Sequence, residues 1–310
     1  MKKNIKLKNS LWVRIILGTV LVLYCALFFT LIYWALVTSV KTDDDLLLRQ
    51  NYFGLPKDFF TGQTLMPWQW AWSNFLEATT FFEVSGLVRN GREISVPFLT
   101  QVFYTLEYSI GCAFLNTLSP CLVAYVTSKF KYKFNIVIES IVIISMILPI
   151  VGSSMSMISM LNNLRIYDTF FGIFCQKFGF GGMYFLVLSG VFKGVSKEYY
   201  EAAHIDGASE LNVMLRIAFP LIFNTFMLIF LLHFIGFWND YNTPLLYAPS
   251  HPTMSYGLFR MMTDSTGNSR RGSTPVQMAG CVLIVVPVVI IFIIFRNKLM
   301  GNLTIGGVKE

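Results

Sequence analysis

Charge is scarce in this sequence. Asp, Glu, Lys and Arg make up 13% of 310 residues, about half the share of an average soluble domain, while 55% are hydrophobic. That balance argues against a water-exposed fold and for a bilayer. Histidine is scarcer still: His204, His233 and His251 are the only three, and their spacing matches no metal site. There is no G-x-x-x-x-G-K-[ST] phosphate loop, no H-E-x-x-H and no G-x-S-x-G elbow. The chain therefore has no residues for hydrolysing a nucleotide, and neither an enzyme activity, a metal nor a cofactor is expected. Cys25, Cys112, Cys121, Cys175 and Cys281 lack paired spacing and read as small core residues rather than disulfides or ligands.

Long uncharged runs are plentiful. Ile15 to Val37 carries no charge and is long enough to cross roughly 30 Å of hydrocarbon as a helix. The basic leader before it resembles the start of a signal peptide, but the apolar run is too long and has no small-residue cleavage site, so it is expected to stay as an anchor. Five more apolar segments follow, at about Val102–Val126, Ile136–Met160, Phe170–Phe192, Leu221–Trp238 and Val276–Phe295. Glu107 and Glu139 lie near the ends of theirs and remove neither.

Basic residues flank these runs unevenly. Lys2, Lys3, Lys6, Lys8 and Arg14 precede the first, Lys129, Lys131 and Lys133 follow the second, Lys193 and Lys197 follow the fourth, and Arg296 and Lys298 follow the sixth. Since Lys and Arg are retained on the cytoplasmic side, both termini are expected inside. The expected fold is thus an all-α integral membrane protein of about six transmembrane helices. Its segments are a cytoplasmic N-terminus (1–14), a first span (15–37), an extended external segment (38–101), a five-helix core (102–295) with a cytoplasmic loop at 193–220, and a cytoplasmic tail (296–310). The net charge of +7 is this topology signal, and its dispersal over membrane-flanking loops argues against nucleic-acid binding.

One segment breaks the apolar pattern. "EYYEAAHIDGASELNVMLRIAFP", Glu198 to Pro220, is polar and helix-forming. Ser196 suits an N-cap, and Glu198 and Glu201 suit the positive end of a helix. Gly207 costs about 1 kcal/mol relative to alanine inside a helix, so a break is expected there. Ser209 can cap a second short helix with Leu211, Met214, Leu215 and Ala218 at helical spacing, and Pro220 fits the start of the fifth span. Two short helices would then present Ala202, Ala203 and Gly207 where another surface could approach. Spacing alone leaves a socket for a partner and an interfacial amphipathic connector equally open.

The residues Glu201, Ala202, Ala203, Gly207, Ile217 and Pro220 resemble the EAA loop of permease subunits of ATP-binding-cassette importers, with Phe219 where that pattern has leucine. The likeness continues through "FWNDYNTPLLY", Phe237 to Tyr247, and into "VPVVIIFIIFRNKLMGNLTIGGVKE", which is similar to the end of the G-type subunit of maltose-type sugar importers. It departs in Gly306-Gly307-Val308-Lys309, where Gly-Ala-Val-Lys is more usual, and it covers roughly Val102 to Glu310. The resemblance implies a type I importer permease in a bacterial cytoplasmic membrane, carrying a carbohydrate. It implies that the loop docks into a cytoplasmic ATPase, present in two copies, through Glu201 and Gly207 with Ala202 and Ala203 as the close-packing face. A distinct second permease and an external solute-binding protein, meeting the Asn239–Pro275 loop, are implied as well; Arg270 and Arg271 lie in that loop.

A sugar path needs hydroxyl-bonding groups and aromatic faces. Candidates are Tyr108 and Asn116 in the second span, Ser153, Ser154 and Ser156 beyond Pro149, and Trp238, Asn239, Asp240 and Asn242 ending the fifth. Each has a plain alternative as a packing or interfacial residue. His233, on an apolar face, is either bonded to a neighbouring helix or part of the path. Pro149 is expected to kink its span. In "MPWQWAWSNFLEA", Trp68, Trp72, Phe75 and Leu76 share a helical face that would lie on the outer lipid surface or dock a partner. Other readings of the whole chain are an importer for a peptide or glycerol phosphate, an ion-driven transporter using Glu107, Glu139 and His233, or a scaffold without transport.

Overall fold

The structure, a computed structural model, describes residues 11–58, 60–89, 91–130, 132–148, 152–179, 181–263 and 273–300. Pro149, Arg270, Arg271, the leader lysines Lys2, Lys3, Lys6 and Lys8, and the tail motif lie outside them. The chain falls into two compact units, one of the residues up to Phe81 with 273–283, the other from Phe82 to Thr263 with Ile284 onward.

The first unit begins with helix α1, Leu11–Ser39, whose side chains are exposed from Val13 to Ile32, as a lipid-facing span requires. Its far end is clamped. Lys41 is fully buried and donates to the carbonyls of Asn51 and Tyr52. Burial pulls its pKa below the usual lysine value, with Asp45 opposing. Asp45, in α2 (Asp43–Leu47), accepts from Asn51 Nδ2 and from the Lys57 amide, each at 3.1 Å. Asn74 of α3 (Ser73–Phe81) donates to the carbonyls of Ser39 and Lys41, at 2.9 and 2.8 Å. The segment after the first span is therefore folded, with Lys41, Asp45 and Asn74 as its tie points. Trp68, Trp72 and Leu76 are exposed on it, while Phe75 is half-buried against the Trp72 ring.

The second unit opens with a hairpin that an all-α reading omits. Strands β1 (Val84–Arg89) and β2 (Arg92–Val96) pair antiparallel, with Val84, Leu87 and Val96 buried on one side. The Asn90-Gly91 dipeptide between them is a strong hairpin signal in the sequence, and Gly91 adopts φ +74°.

Helix α4, Phe98–Lys129, is the longest described and the axis of this unit. It packs against α8 (Met183–Gly194) and α11 (Phe219–Trp238). Lipid supplies no hydrophobic drive between helices, so close approach depends on small residues. Cys112, Ala113, Cys121 and Ala124 of α4 are all buried, as is Ala218 at the foot of α11, and Phe185, Leu188, Ile222 and Phe226 fill the space around them.

Four helices among the described residues are long and apolar enough to cross a membrane: Val13–Ser39, Phe98–Lys129, Glu210–Trp238 and Thr274–Phe295. The third and fourth expected spans are each interrupted. The third divides into α5 (Phe134–Ile147) and α6 (Ser153–Asn163), and the fourth into α7 (Phe170–Lys177) and α8. Leu148, which precedes Pro149, has left the helical region at ψ 116°, as a residue before proline tends to. Gly182, at φ +98°, allows the second break, which no residue with a Cβ would adopt cheaply. The connection between α8 and α11 is α9 (Lys197–Ile205) and α10 (Glu210–Val213), and α12 (Asn242–Tyr247) and α13 (Met254–Thr263) follow α11. The last helix is α14, Thr274–Met300.

Candidate functional site

The polar stretch forms a helix, a sharp turn and a second helix. Ser196 caps α9, its hydroxyl accepting from the Glu198 amide at 3.4 Å, and Ser209 caps α10 through the Asn212 amide at 3.4 Å. Gly207 stands between them at φ +78°, closed by its amide to the His204 carbonyl and by the Ala208 amide to Ala203. This is the left-handed C-terminal stop that glycine provides.

The second helix is not separate, as its spacing had suggested. It runs through a π-helical turn, Met214–Ala218, directly into α11. Pro220 explains that turn. Its ring would clash with the Arg216 carbonyl in a regular helix and it has no amide to give, so the preceding turn widens and the Phe219 amide reaches back to Met214. The result is one continuous helical lever from Glu210 to Trp238.

Lys129, the last residue of α4, fastens this lever. It pairs with Glu210 and lies over the Tyr200 ring of α9 at 5.1 Å. Two clefts flank the motif. Glu201 lines one of about 200 Å³ with Lys129, Lys193 and Tyr200, and Ala202, Ala203 and Ile217 line another of about 420 Å³. Glu201, Ala202, Gly207 and Pro220 are exposed, Ile217 is half-buried, and Ala203 is buried within the chain itself. Of the two alanines expected to form a close-packing face, only Ala202 is therefore free to meet another surface. Ile205 is 86% exposed, and the sequence reading missed it. Its signal was an isoleucine beside the helix-ending Asp206-Gly207, where no internal partner can cover it.

The candidate path residues behave differently from one another. Tyr108 is fully buried and donates to Asp240 at 2.8 Å, while the other oxygen of Asp240 accepts from the Thr243 amide at 3.1 Å. Trp238 is buried, its indole donating to the Ile284 carbonyl at 3.1 Å and its carbonyl accepting from Ser255 at 2.6 Å. These two hold helices together. Asn239, Asn242 and Ser153 are exposed, and Asn116 and Ser154 are half-buried. On the expected outer side, the Asp168 amide donates to the Tyr247 carbonyl at 3.0 Å, and Tyr167 donates to Leu246 at 3.2 Å, joining the turn after α6 to α12.

Residues 117–300 match the family described as binding-protein-dependent transport system inner membrane component. The chain belongs to this family. It is accordingly a membrane transport subunit with the fold of a type I ATP-binding-cassette importer permease. Among similar proteins is the arabinooligosaccharides transport system permease protein AraQ of Halalkalibacterium halodurans, 26% identical over 65% of this chain and 71% of that one. The diacetylchitobiose uptake system permease protein NgcG of Streptomyces coelicolor is 21% identical over 92% and 86%. The sn-glycerol-3-phosphate transport system permease protein UgpE of Escherichia coli is 24% identical over 96% and 98%. Of solved structures, a chain of a bacterial ABC transporter involved in the import of the acidic polysaccharide alginate superposes with a TM-score of 0.69, at 20% identity over 91% of this chain and 95% of that one. That likeness is one of fold.

Proposed function

We propose that this chain is one of two distinct membrane subunits of an importer for a carbohydrate, driven by a pair of cytoplasmic ATPase subunits and fed by an external solute-binding protein. The observation that carries the reading is the Gly207 turn, which offers Glu201, Ala202 and Ile205 outward while Lys129 and the Glu210–Trp238 lever bind it to the spans. A surface that is exposed, partly apolar and rigidly joined to a membrane helix suits transmission of movement from an ATPase. In this reading both termini and the 193–220 loop are cytoplasmic, and the 239–275 loop meets the binding protein. Asn116, Ser153, Ser154, Asn239, Asp240 and Asn242 border the path, with Tyr108 and Trp238 setting its walls. The cargo class is supported by the names of AraQ and NgcG, and the near full-length alignment to UgpE favours glycerol phosphate as the second reading.

The test has two parts. Tagged chain is purified from membranes, and ATP-dependent uptake is then measured for arabino-oligosaccharides, malto-oligosaccharides, diacetylchitobiose and sn-glycerol 3-phosphate. Co-purification of an ATPase and a second permease, with the ATPase lost in Glu201→Ala, and uptake of one of the sugars are expected. Recovery of the chain alone, or uptake of none of the sugars, refutes the reading.

A further inference from the structure

His233 lies on α11, seven residues before Asp240, and Thr117 lies on α4, nine residues after Tyr108. At 1.5 Å per residue these are displacements of about 10 and 13 Å from the Tyr108–Asp240 bond, and both residues lie inside candidate membrane spans, Phe98–Lys129 and Glu210–Trp238. Thr117 Oγ1 is 2.9 Å from His233 Nδ1. The same hydroxyl donates to the Ala113 carbonyl at 2.7 Å, the usual bond of a helical threonine. A hydroxyl has one hydrogen, and here it is spent on Ala113. Thr117 can therefore only accept from the histidine, and Nδ1 carries the proton.

The other ring nitrogen is left with a lone pair. Among the described residues no donor bonds Nε2, and no carboxylate forms an ion pair with the ring that would balance an imidazolium. The ring is also fixed in direction. Tyr184 meets it edge-to-face at 4.6 Å, and Phe237 lies 6.3 Å from it. His233 is half-buried rather than enclosed, and its ring holds an acceptor at a set angle.

Breaks and freed backbone groups occur on the elements that contact it. Tyr184 is in the first turn of α8, directly after the break at Gly182, where no side chain caps the free amides. A Cβ on Gly181 would lie 3.6 Å from Ser145 Oγ in the last turn of α5, so the breaks in the third and fourth spans are neighbours. On α4, Pro120 supplies no amide to the Asn116 carbonyl, one residue from Thr117. Interrupted helices at membrane depth are tolerated where they line a cavity, and midplane binding sites are commonly built from them.

We propose that His233 is a specificity-determining residue, presenting Nε2 as a fixed acceptor to a hydroxyl group of the cargo within the spanning helices, with Thr117 as the positioning residue that sets its tautomer. The occupant rests on the carbohydrate reading above. A molecule bearing many hydroxyls has a donor at every ring position and can satisfy the acceptor in passing, which an apolar or fully anionic solute does not.

The assembled transporter is tested in vesicles with whichever sugar of the panel wild type imports. His233→Phe is expected to lower uptake at subsaturating sugar about three- to tenfold, the scale of one lost hydrogen bond, with subunit recovery unchanged. His233→Gln, which keeps an acceptor, should restore most of it. Thr117→Val should lower uptake several-fold and Thr117→Ser should not, whereas a purely packing role would tolerate the isosteric valine. Nitrogen spectra of histidine-labelled transporter should show protonated Nδ1 in wild type and a mixture in Thr117→Val. Uptake by His233→Phe equal to wild type, or protonated Nε2 in wild type, overturns the inference alone. Wild type that imports no sugar overturns the carbohydrate reading and the occupant with it.

Discussion

Tyr108 donates its hydroxyl to Asp240 at 2.8 Å, joining two residues 132 positions apart. The bond ties the first third of α4 to the chain just after α11, the helix that continues from α10. It makes Asp240 part of a braced corner, since the same carboxyl also receives the Thr243 amide. Tyr108→Phe removes only the hydroxyl and leaves a charged acceptor short of a donor. It should destabilise the second unit by about 1–3 kcal/mol, read as a lower unfolding temperature of the purified complex, while Asp240→Asn should cost less because the amide keeps one acceptor.

Gly207 has open space around it, with nothing within 4 Å of a Cβ, but its φ of +78° excludes easy substitution. Valine there should cost about 1–2 kcal/mol of backbone strain and shift the exposed face of α9. Uptake should fall at least tenfold with the chain still inserted, and basal ATP hydrolysis should persist. Asparagine, which tolerates the left-handed region, should retain most uptake.

Gly257 of α13 is constrained by contact instead. A Cβ there would overlap Gln101 Oε1 and lie 3.0 Å from a Phe82 ring carbon. Gln101 cannot swing away, because its Nε2 donates to the carbonyls of Phe82 and Val96. Gly257→Ala should therefore lower stability by about 1–3 kcal/mol, measured by thermal unfolding, and pairing it with Gln101→Ala should recover part of the loss.

Asp168 predicts a pH dependence. Burial alone would raise its carboxyl, yet the His251 ring, with Nδ1 3.6 Å away, and the Ser250 amide, donating at 2.9 Å, hold it below the usual carboxylate range. A pKa depressed in the folded state gives stability that is present above the unfolded value of about 3.9 and lost as pH falls through the folded one. Asp168→Asn should thus destabilise clearly at pH 7 and progressively less below about pH 4. Equal effects at pH 7 and pH 3.5 would rule the carboxylate out as the cause.

The interrupted spans show where local reading stops. Ile136–Met160 and Phe170–Phe192 are apolar enough to count as single spans, because hydropathy adds residues without regard to backbone direction. Gly152 and Gly182 adopt positive φ, and that is decided by what surrounds them. The hairpin was legible in principle through Asn90-Gly91, but Val84–Val96 stood inside the 38–101 segment, read only as an extended external one. The burial of Lys41 had no sequence signal at all, since it depends on carbonyls 10 and 11 residues away.

By itself the sequence determined the solvent and the punctuation. Charge scarcity and run length put the chain in a bilayer, Ser196, Gly207 and Ser209 fixed the helix–turn–helix, and the spacing from Glu201 to Pro220 carried the family likeness. These are properties of neighbouring residues, set by propensity, capping and transfer into hydrocarbon. Tertiary structure decided which polar groups remain free. Tyr108 and Trp238 are consumed by Asp240 and Ile284, Ala203 is turned inward, and His233 is left with one nitrogen bonded and one open. Such outcomes depend on pairing across distant segments, where each donor taken by one partner is withdrawn from every other.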